Sequence, residues 1–155
     1  MDFETILRNR RSIRDFQERE VPLSVLNEII QDTCFAPTAG NGQPCRFVII
    51  RDRPCMQRLS DESKKNLLAD LTQNPASTLK KYEATLRDDH FNVFYNAPCL
   101  VYIVGPKDIR SLDVDVALTV SYFMFSATSR GLGTCWVALG SQIRDRKTLD
   151  EIGVP

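Results

Sequence analysis

The apolar segment 112–130 constrains the fold of this chain more than any other feature of the sequence. It opens with Asp113 and Asp115, ends on a basic residue and is followed by Gly131, as the dipole and the C-cap of a helix prefer. Between these ends, the run 116–125 is apolar nearly all round the helix, which predicts burial on every side. Only three strands are predicted, too few to cover such a helix, so we expect part of it to face a second copy of the chain.

Apolar periodicity and the positions of the prolines predict the remaining elements. A helix that begins after Pro22 should end before Ala36-Pro37, because the residue preceding a proline avoids the helical region. Two further helices between residues 60 and 89 should break at Asn74-Pro75. We also predict a short helix from Phe3 to about Arg10, a last helix that ends near Gly153, and buried strands at 47–50, 99–104 and 135–139.

Composition restricts the class of protein. A chain of 155 residues predicts one domain, and its net charge of zero removes the general attraction on which nucleic-acid binding relies. It lacks an apolar run long enough to cross a membrane and a basic leader before an apolar stretch, so we expect a cytoplasmic protein. The five cysteines and one histidine lack metal-ligand spacing, and we expect no metal site.

The segment 8–14 is the first candidate site. Arg10, Arg11 and Arg14, with the hydroxyl of Ser12, could surround a phosphate with charged donors and one neutral donor. Two alternatives remain open, a solvated basic end of a helix and a small nucleic-acid patch, and the patch is disfavoured because no aromatic residues are interleaved.

The loop 37–44 is the second candidate site. Its small residues allow close approach of a ligand, and the amides of Asn41 and Gln43 could read the polar edge of a heterocycle such as a flavin. The alternative is an ordinary connection between a helix and a strand. The third candidate is the segment 130–136, in which a helix C-cap explains Gly131 but accounts less well for Gly133.

Four segments in this order resemble the nitroreductase family of flavoproteins. They are 10–16, 36–47, the Asn-Ala-Pro at 96–98, and the Gly-Leu-Gly-Thr-Cys-Trp at 131–136. The resemblance implies an α+β fold in which helices flank a small, mostly antiparallel sheet. It also implies an intertwined homodimer with FMN at the subunit interface.

The resemblance further implies a role for individual residues and a reaction. FMN would take a hydride from NADH or NADPH and pass it to a small acceptor, such as a nitroaromatic compound or a quinone, by ping-pong exchange, and no catalytic side chain is implied. The residues implied to bind the cofactor form three groups: Arg10, Arg11, Ser12 and Arg14 at the phosphate and ribityl chain; Pro37, Thr38, Asn41 and Gln43 along the flavin, often from the other subunit; and Trp136, Val137 and Ala138 on a strand against the ring.

Several departures from the family pattern accompany these expectations. Thr38 stands where the family usually has serine, and Cys45 where it usually has an aromatic residue. Family members generally continue into one more strand and a tail, so we expect residues 1–155 to be one domain without them. Other flavin chemistry on the same fold, such as dehalogenation or flavin fragmentation, stays open as an alternative, as does a flavin-binding module without turnover.

Overall fold

A computed structural model describes residues 2–154, which form helices around a two-stranded antiparallel sheet. Both predicted strands before residue 110 are confirmed, and Val48 pairs with Tyr102 at the centre of the ladder. The helices are α1 (Phe3–Asn9), α2 (Leu23–Thr33), α3 (Arg53–Gln73), α4 (Glu83–Arg87), α5 (Leu112–Ser129) and α6 (Arg146–Glu151); the strands are β1 (Arg46–Ile50) and β2 (Leu100–Val104); and 3-10 turns lie at Ala39–Asn41, Thr78–Tyr82 and Ala138–Ser141.

The predicted third strand at 135–139 is wrong. In its place an irregular segment makes one parallel bridge, between Ser12 and Thr134, and then enters the 3-10 turn. The apolar run was read as a strand from its composition, but a strand needs a continuous partner for its backbone groups. Within the described residues this segment has such a partner only at the bridge.

Helix α3 is longer than predicted and provides much of the core. It begins at Arg53, where the Asp52 carboxylate accepts the backbone N–H of Cys55 at 2.7 Å, and the proline in its first turn is compatible with a helix start. The sequence placed this start near residue 60, seven residues too late. The buried cluster against β1 consists of Ile50, Met56, Leu59, Leu67, Leu71, Leu86, Val93 and Phe94.

Three buried polar side chains of α3, which we name the loop anchors, hold two loops by their backbone atoms. Ser60 accepts an N–H of the loop 88–93 at 3.0 Å, and the Lys64 ammonium donates to two carbonyls of that loop at 2.6 and 2.9 Å. Ser63 donates to a carbonyl of the segment 139–142 at 2.7 Å and accepts an N–H from it at 3.1 Å. Each anchor is at most 7% exposed, so these bonds are shielded from water.

Helix α5 packs along α2 and ends as predicted. Gly131 has φ of +75°, and the N–H of Leu132 donates to the carbonyl of Ala127 at 3.0 Å, which is the Schellman pattern of a helix end. Near this end, Arg130 lies 2.7 Å from the carboxylate of Asp32 on α2. The two helices are therefore joined by charge as well as by apolar packing.

Candidate active site

Segment 10–14 is extended, so its successive side chains point alternately to opposite sides. Arg10 and Ser12 line the cavity described below. Arg11 turns back, and its guanidinium donates to the carbonyls of Arg8 and Arg10 at 2.7 and 2.9 Å, which caps the end of α1. The structure therefore brings two of the predicted phosphate ligands into one cavity and places Arg11 outside its lining.

A close backbone contact fixes this segment in place. The N–H of Ile13 donates to the carbonyl of Thr134 at 2.9 Å, beside the parallel bridge. A Cβ at Gly133 would lie 2.7 Å from Cγ1 of Ile13, so only glycine allows this approach. The hydroxyl oxygen of Thr134 is buried and has no hydrogen-bond partner among the described residues. Close approach of two segments thus accounts for Gly133, which the sequence left unexplained.

The cavity has a volume of about 530 Å³, within the range of sites for small ligands and cofactors. Its lining combines one guanidinium group and two hydroxyl groups with four largely apolar residues. Arg10 forms no ion pair with any described residue, so its charge is uncommitted. The lining consists of Arg10, Ser12, Ser121, Met124, Phe125, Trp136 and Ala138.

Three of these lining residues come from α5 and were not predicted as site residues. The sequence analysis placed Met124 and Phe125 in a helix buried on all sides, whereas their side chains form an open wall. One feature of the sequence could have indicated them. Ser121, a small polar residue in an apolar run, precedes Met124 by three positions and Phe125 by four, which places all three on one face of the helix. Phe125 is held in turn by an edge-to-face contact with Phe3 of α1, with ring centroids 5.8 Å apart.

Arg14 lies beyond the lining of the cavity, over an aromatic ring. Its guanidinium carbon is 5.8 Å from the ring centroid of Tyr95, at the outer range of a cation–π contact. Tyr95 and Asn96 both have left-handed backbone, with φ of 56° and 53°. Val137 is also absent from the lining, although its neighbours Trp136 and Ala138 belong to it.

The second predicted group, in the loop 37–44, does not reach this cavity within one chain. The loop packs at the start of α5, where Ala39 bonds to Asp115, whereas the cavity adjoins Ser121 and Phe125. Asp115 precedes Ser121 by six positions and Phe125 by ten, so the loop contact lies about 9–15 Å along the helix from these lining residues, at 1.5 Å per residue. None of Pro37, Thr38, Asn41 and Gln43 lines the cavity.

One face of α5 is exposed in the single chain. Val114, Leu118 and Tyr122 are 63%, 37% and 40% exposed, and their spacing of four places them on one face. This exposed stripe of three residues runs from the loop end of α5 toward the cavity. Its apolar character is unusual for a solvated helix face and is typical of an interaction surface.

The cavity is chemically simple. Its lining contains no carboxylate, histidine or cysteine, and so offers no side chain for general acid or base catalysis. His90 is exposed and lies outside it. Within residues 2–154 no three side chains are grouped so as to hold a metal ion. No helix of this described part is long and apolar enough to span a membrane.

Comparison with protein families gives a match over nearly the whole chain. The family model described as "Nitroreductase family" matches residues 7–155. The chain is 22% identical over 143 residues to a Methanothermobacter thermautotrophicus protein with the provisional name NADH dehydrogenase/NAD(P)H nitroreductase, covering 90% of this chain and 62% of that protein. It is 24% identical over 147 residues to iodotyrosine deiodinase 1 of Sus scrofa, covering 86% of this chain and 50% of the deiodinase.

Solved structures share the fold. A Bacteroides fragilis nitroreductase with bound FMN superposes with a TM-score of 0.84 at 23% identity, covering 98% of this chain and 80% of that one. Iodotyrosine deiodinase bound to FMN and 3-iodo-L-tyrosine superposes with a TM-score of 0.72 at 23% identity, covering 98% and 81%. These matches confirm the predicted α+β fold.

Proposed function

Because this chain belongs to the nitroreductase family, we propose that it is an FMN-dependent oxidoreductase. It takes electrons from NADH or NADPH and delivers them to a small acceptor such as a nitroaromatic compound or a quinone. The observation that carries the proposal is the cavity in which the uncommitted cation of Arg10 and the hydroxyl of Ser12 face an apolar wall with Trp136. A phosphate and a planar ring are the two chemical groups that such a cavity suits.

The residues present fit FMN. Arg10 and Ser12 would hold the phosphate, with Arg14 and Arg11 adding positive charge nearby. Trp136, Val137 and Ala138 would lie along the ring on the irregular segment that follows Gly133. The buried hydroxyl of Thr134, which lacks a partner among the described residues, adds an unused donor beside the cavity.

A homodimer would complete the site. In one chain the loop contact at Asp115 lies about 9–15 Å along α5 from the lining residues Ser121 and Phe125, at 1.5 Å per residue. A second copy packed on the exposed stripe of Val114, Leu118 and Tyr122 would bring its own loop toward this cavity. Pro37, Thr38, Asn41 and Gln43 would then line the flavin from the other subunit.

The proposed reaction requires the side chains to bind the cofactor and not to carry out the chemical step. When bound, FMN supplies the hydride chemistry, and the chain binds, orients and shields it. Arg10 and Ser12 would hold the phosphate, and Phe125 and Trp136 would lie against the ring. Trp136 is 62% exposed, so the mouth of the cavity stays open, and electron donor and acceptor would occupy it in turn.

Reductive dehalogenation is a second candidate, favoured by the similarity to iodotyrosine deiodinase. The identity of 24% to that enzyme is as high as the 22% identity to the archaeal relative. Turnover of a halogenated phenol, compared with turnover of a nitroaromatic compound and a quinone, separates the two chemistries. Flavin binding without turnover of any acceptor would support a binding module.

An absorption spectrum tests the proposal first. We expect the purified protein to show flavin bands that bleach when NADH or NADPH is added without oxygen and return when an acceptor is added. A protein that stays colourless after incubation with FMN would contradict the proposal.

Arg10→Ala should lower FMN affinity by roughly tenfold or more, since it removes a charge-assisted bond. The control is Arg8→Ala, because Arg8 pairs with Glu4 and lies outside the cavity lining.

A further inference from the structure

The loop 37–44 has a strained backbone shape, which is held partly from within, since the N–H of Gln43 donates to the hydroxyl oxygen of Thr38 at 3.0 Å, and partly by contacts with α5. Gly40, Asn41 and Gln43 have left-handed backbone, with φ of 57°, 54° and 46°. Glycine adopts this region freely and asparagine tolerates it, but glutamine does so at a cost. Such a shape persists only where its surroundings hold it.

Two buried polar residues of α5 contact this part of the chain, one within the loop at Ala39 and one at Cys45, just after the loop. The Asp115 carboxylate accepts the backbone N–H of Ala39 at 2.9 Å. One turn later, the hydroxyl oxygen of Thr119 lies 3.4 Å from the sulfur of Cys45. Because Thr119 donates its own proton to the carbonyl of Asp115 at 2.7 Å, the thiol is the donor in that contact.

Burial of the Asp115 carboxylate costs free energy that only its hydrogen bonds offset. Its side chain is only 3% exposed, and it forms no salt bridge with any described residue. Its second oxygen accepts the hydroxyl proton of Ser111 at 2.8 Å. A buried carboxylate that is satisfied only by neutral donors is expensive to retain, and its long-range bond goes to the loop.

We infer that Asp115 is a positioning residue for the cofactor: with Thr119 it forms a clamp that holds the loop in the shape in which Asn41 and Gln43 can meet the flavin. The inference rests on the proposed function. The clamp residues lie on the same two turns of α5 as the exposed stripe, about 100° round the helix axis from it, since Val114 and Leu118 each precede a clamp residue by one position. The loop is therefore fixed relative to the surface on which the second copy would pack.

The test compares three variants of the full chain. Asp115→Ala removes both acceptor oxygens, whereas Asp115→Asn keeps one acceptor for the N–H of Ala39 and can donate to Ser111. Ser126→Ala is the matched control, because Ser126 is 8% exposed on the same helix and bonds to Asp32 and Arg130, away from the loop. Amide hydrogen exchange at Ala39 is measured without flavin, and FMN affinity is measured by fluorescence titration.

We expect Asp115→Ala to speed exchange at Ala39 and to weaken FMN binding, each by about tenfold, the change that corresponds to 1.4 kcal/mol. Asp115→Asn should restore both quantities to within about threefold of wild type, and Ser126→Ala should leave both unchanged. Unchanged exchange in Asp115→Ala would overturn the clamp. Faster exchange with unchanged FMN affinity would overturn its link to the cofactor. A wild-type chain that binds no FMN would overturn the proposed function and that link together, while exchange at Ala39 would still decide whether Asp115 holds the loop.

Discussion

Replacement of Gly133 by alanine tests how the cavity is built. The added Cβ would lie 2.7, 3.0 and 3.1 Å from three carbons of Ile13, closer than ordinary contacts allow. Relief requires segment 10–14 to move away, which stretches the 2.9 Å bond from the N–H of Ile13 to the carbonyl of Thr134. Since Arg10 and Ser12 lie on that segment, the displacement reaches the cationic end of the cavity.

The size of the effect follows from overpacking. Forcing one methyl group into a filled space costs about 1–3 kcal/mol. For a chain of this length, that loss lowers Tm by roughly 2–12 °C, at about 2–4 °C per kcal/mol. The displaced segment should also release FMN more readily than the wild type.

Gly131→Ala is the matched control. Gly131 has open space around it but φ of +75°, so alanine there costs about 1–2 kcal/mol of backbone strain without pressing on a neighbour. Both variants should therefore melt earlier in differential scanning calorimetry. Only Gly133→Ala should lose FMN in equilibrium dialysis.

A second substitution isolates the contact. Ile13→Ala removes two of the three carbons that alanine at position 133 would meet. The double variant should therefore be more stable than the sum of the single losses predicts, by roughly 0.5–3 kcal/mol. Additive losses, or equal loss of FMN in Gly131→Ala and Gly133→Ala, would refute the reasoning.

The remaining predictions concern assembly, thiol chemistry and pH. Leu118→Glu places a charge in the exposed stripe; if the wild type is the proposed dimer, the variant should have half its mass in light scattering at micromolar concentration, and a monomeric wild type would contradict this. Burial raises the pKa of the Cys99 thiol to about 11, so iodoacetamide at about pH 8 should label the exposed Cys34 and spare Cys99, as mass spectrometry would show. The Ser126 hydroxyl lowers the pKa of Asp32 in the folded state. The ionised Asp32 therefore stabilises the fold above the unfolded pKa of about 3.9, and this stabilisation is lost as pH falls through the lower folded pKa. In urea titrations, Asp32→Asn should make the free energy of unfolding fall less steeply with decreasing pH.

Local signals in the sequence predicted much of the fold. The end of α2 before Ala36-Pro37 and the glycine cap of α5 depend on neighbouring residues only, and the structure confirms both. The run 135–139 has the composition of a strand, but whether it forms one depends on a partner elsewhere in the chain. Composition does not contain that information, so this prediction was wrong.

In the candidate site, too, residues in local motifs could be predicted, whereas contacts between distant parts of the chain could not. Arg10, Ser12, Trp136 and Ala138 were found from motifs and lie together in the cavity. Asp115 was interpreted as a favourable charge in the first turn of a helix, and its bond to a loop 76 positions earlier has no signature in the sequence. The all-round apolar pattern of α5 predicted more burial than one chain provides, because the pattern does not distinguish the interior from a surface that awaits a partner.

The loop anchors of α3 have a consequence for how this chain can change over time. Ser60, Ser63 and Lys64 grip only main-chain carbonyls and N–H groups of the loops 88–93 and 139–142. Every residue type except proline presents the same main-chain groups, so the exposed side chains of these loops can be exchanged without loosening this attachment. The second loop continues from the segment that lines the cavity, so the shape of the cavity mouth can diversify while its framework remains constant. Such a division lets one scaffold acquire new acceptors by substitution at its rim.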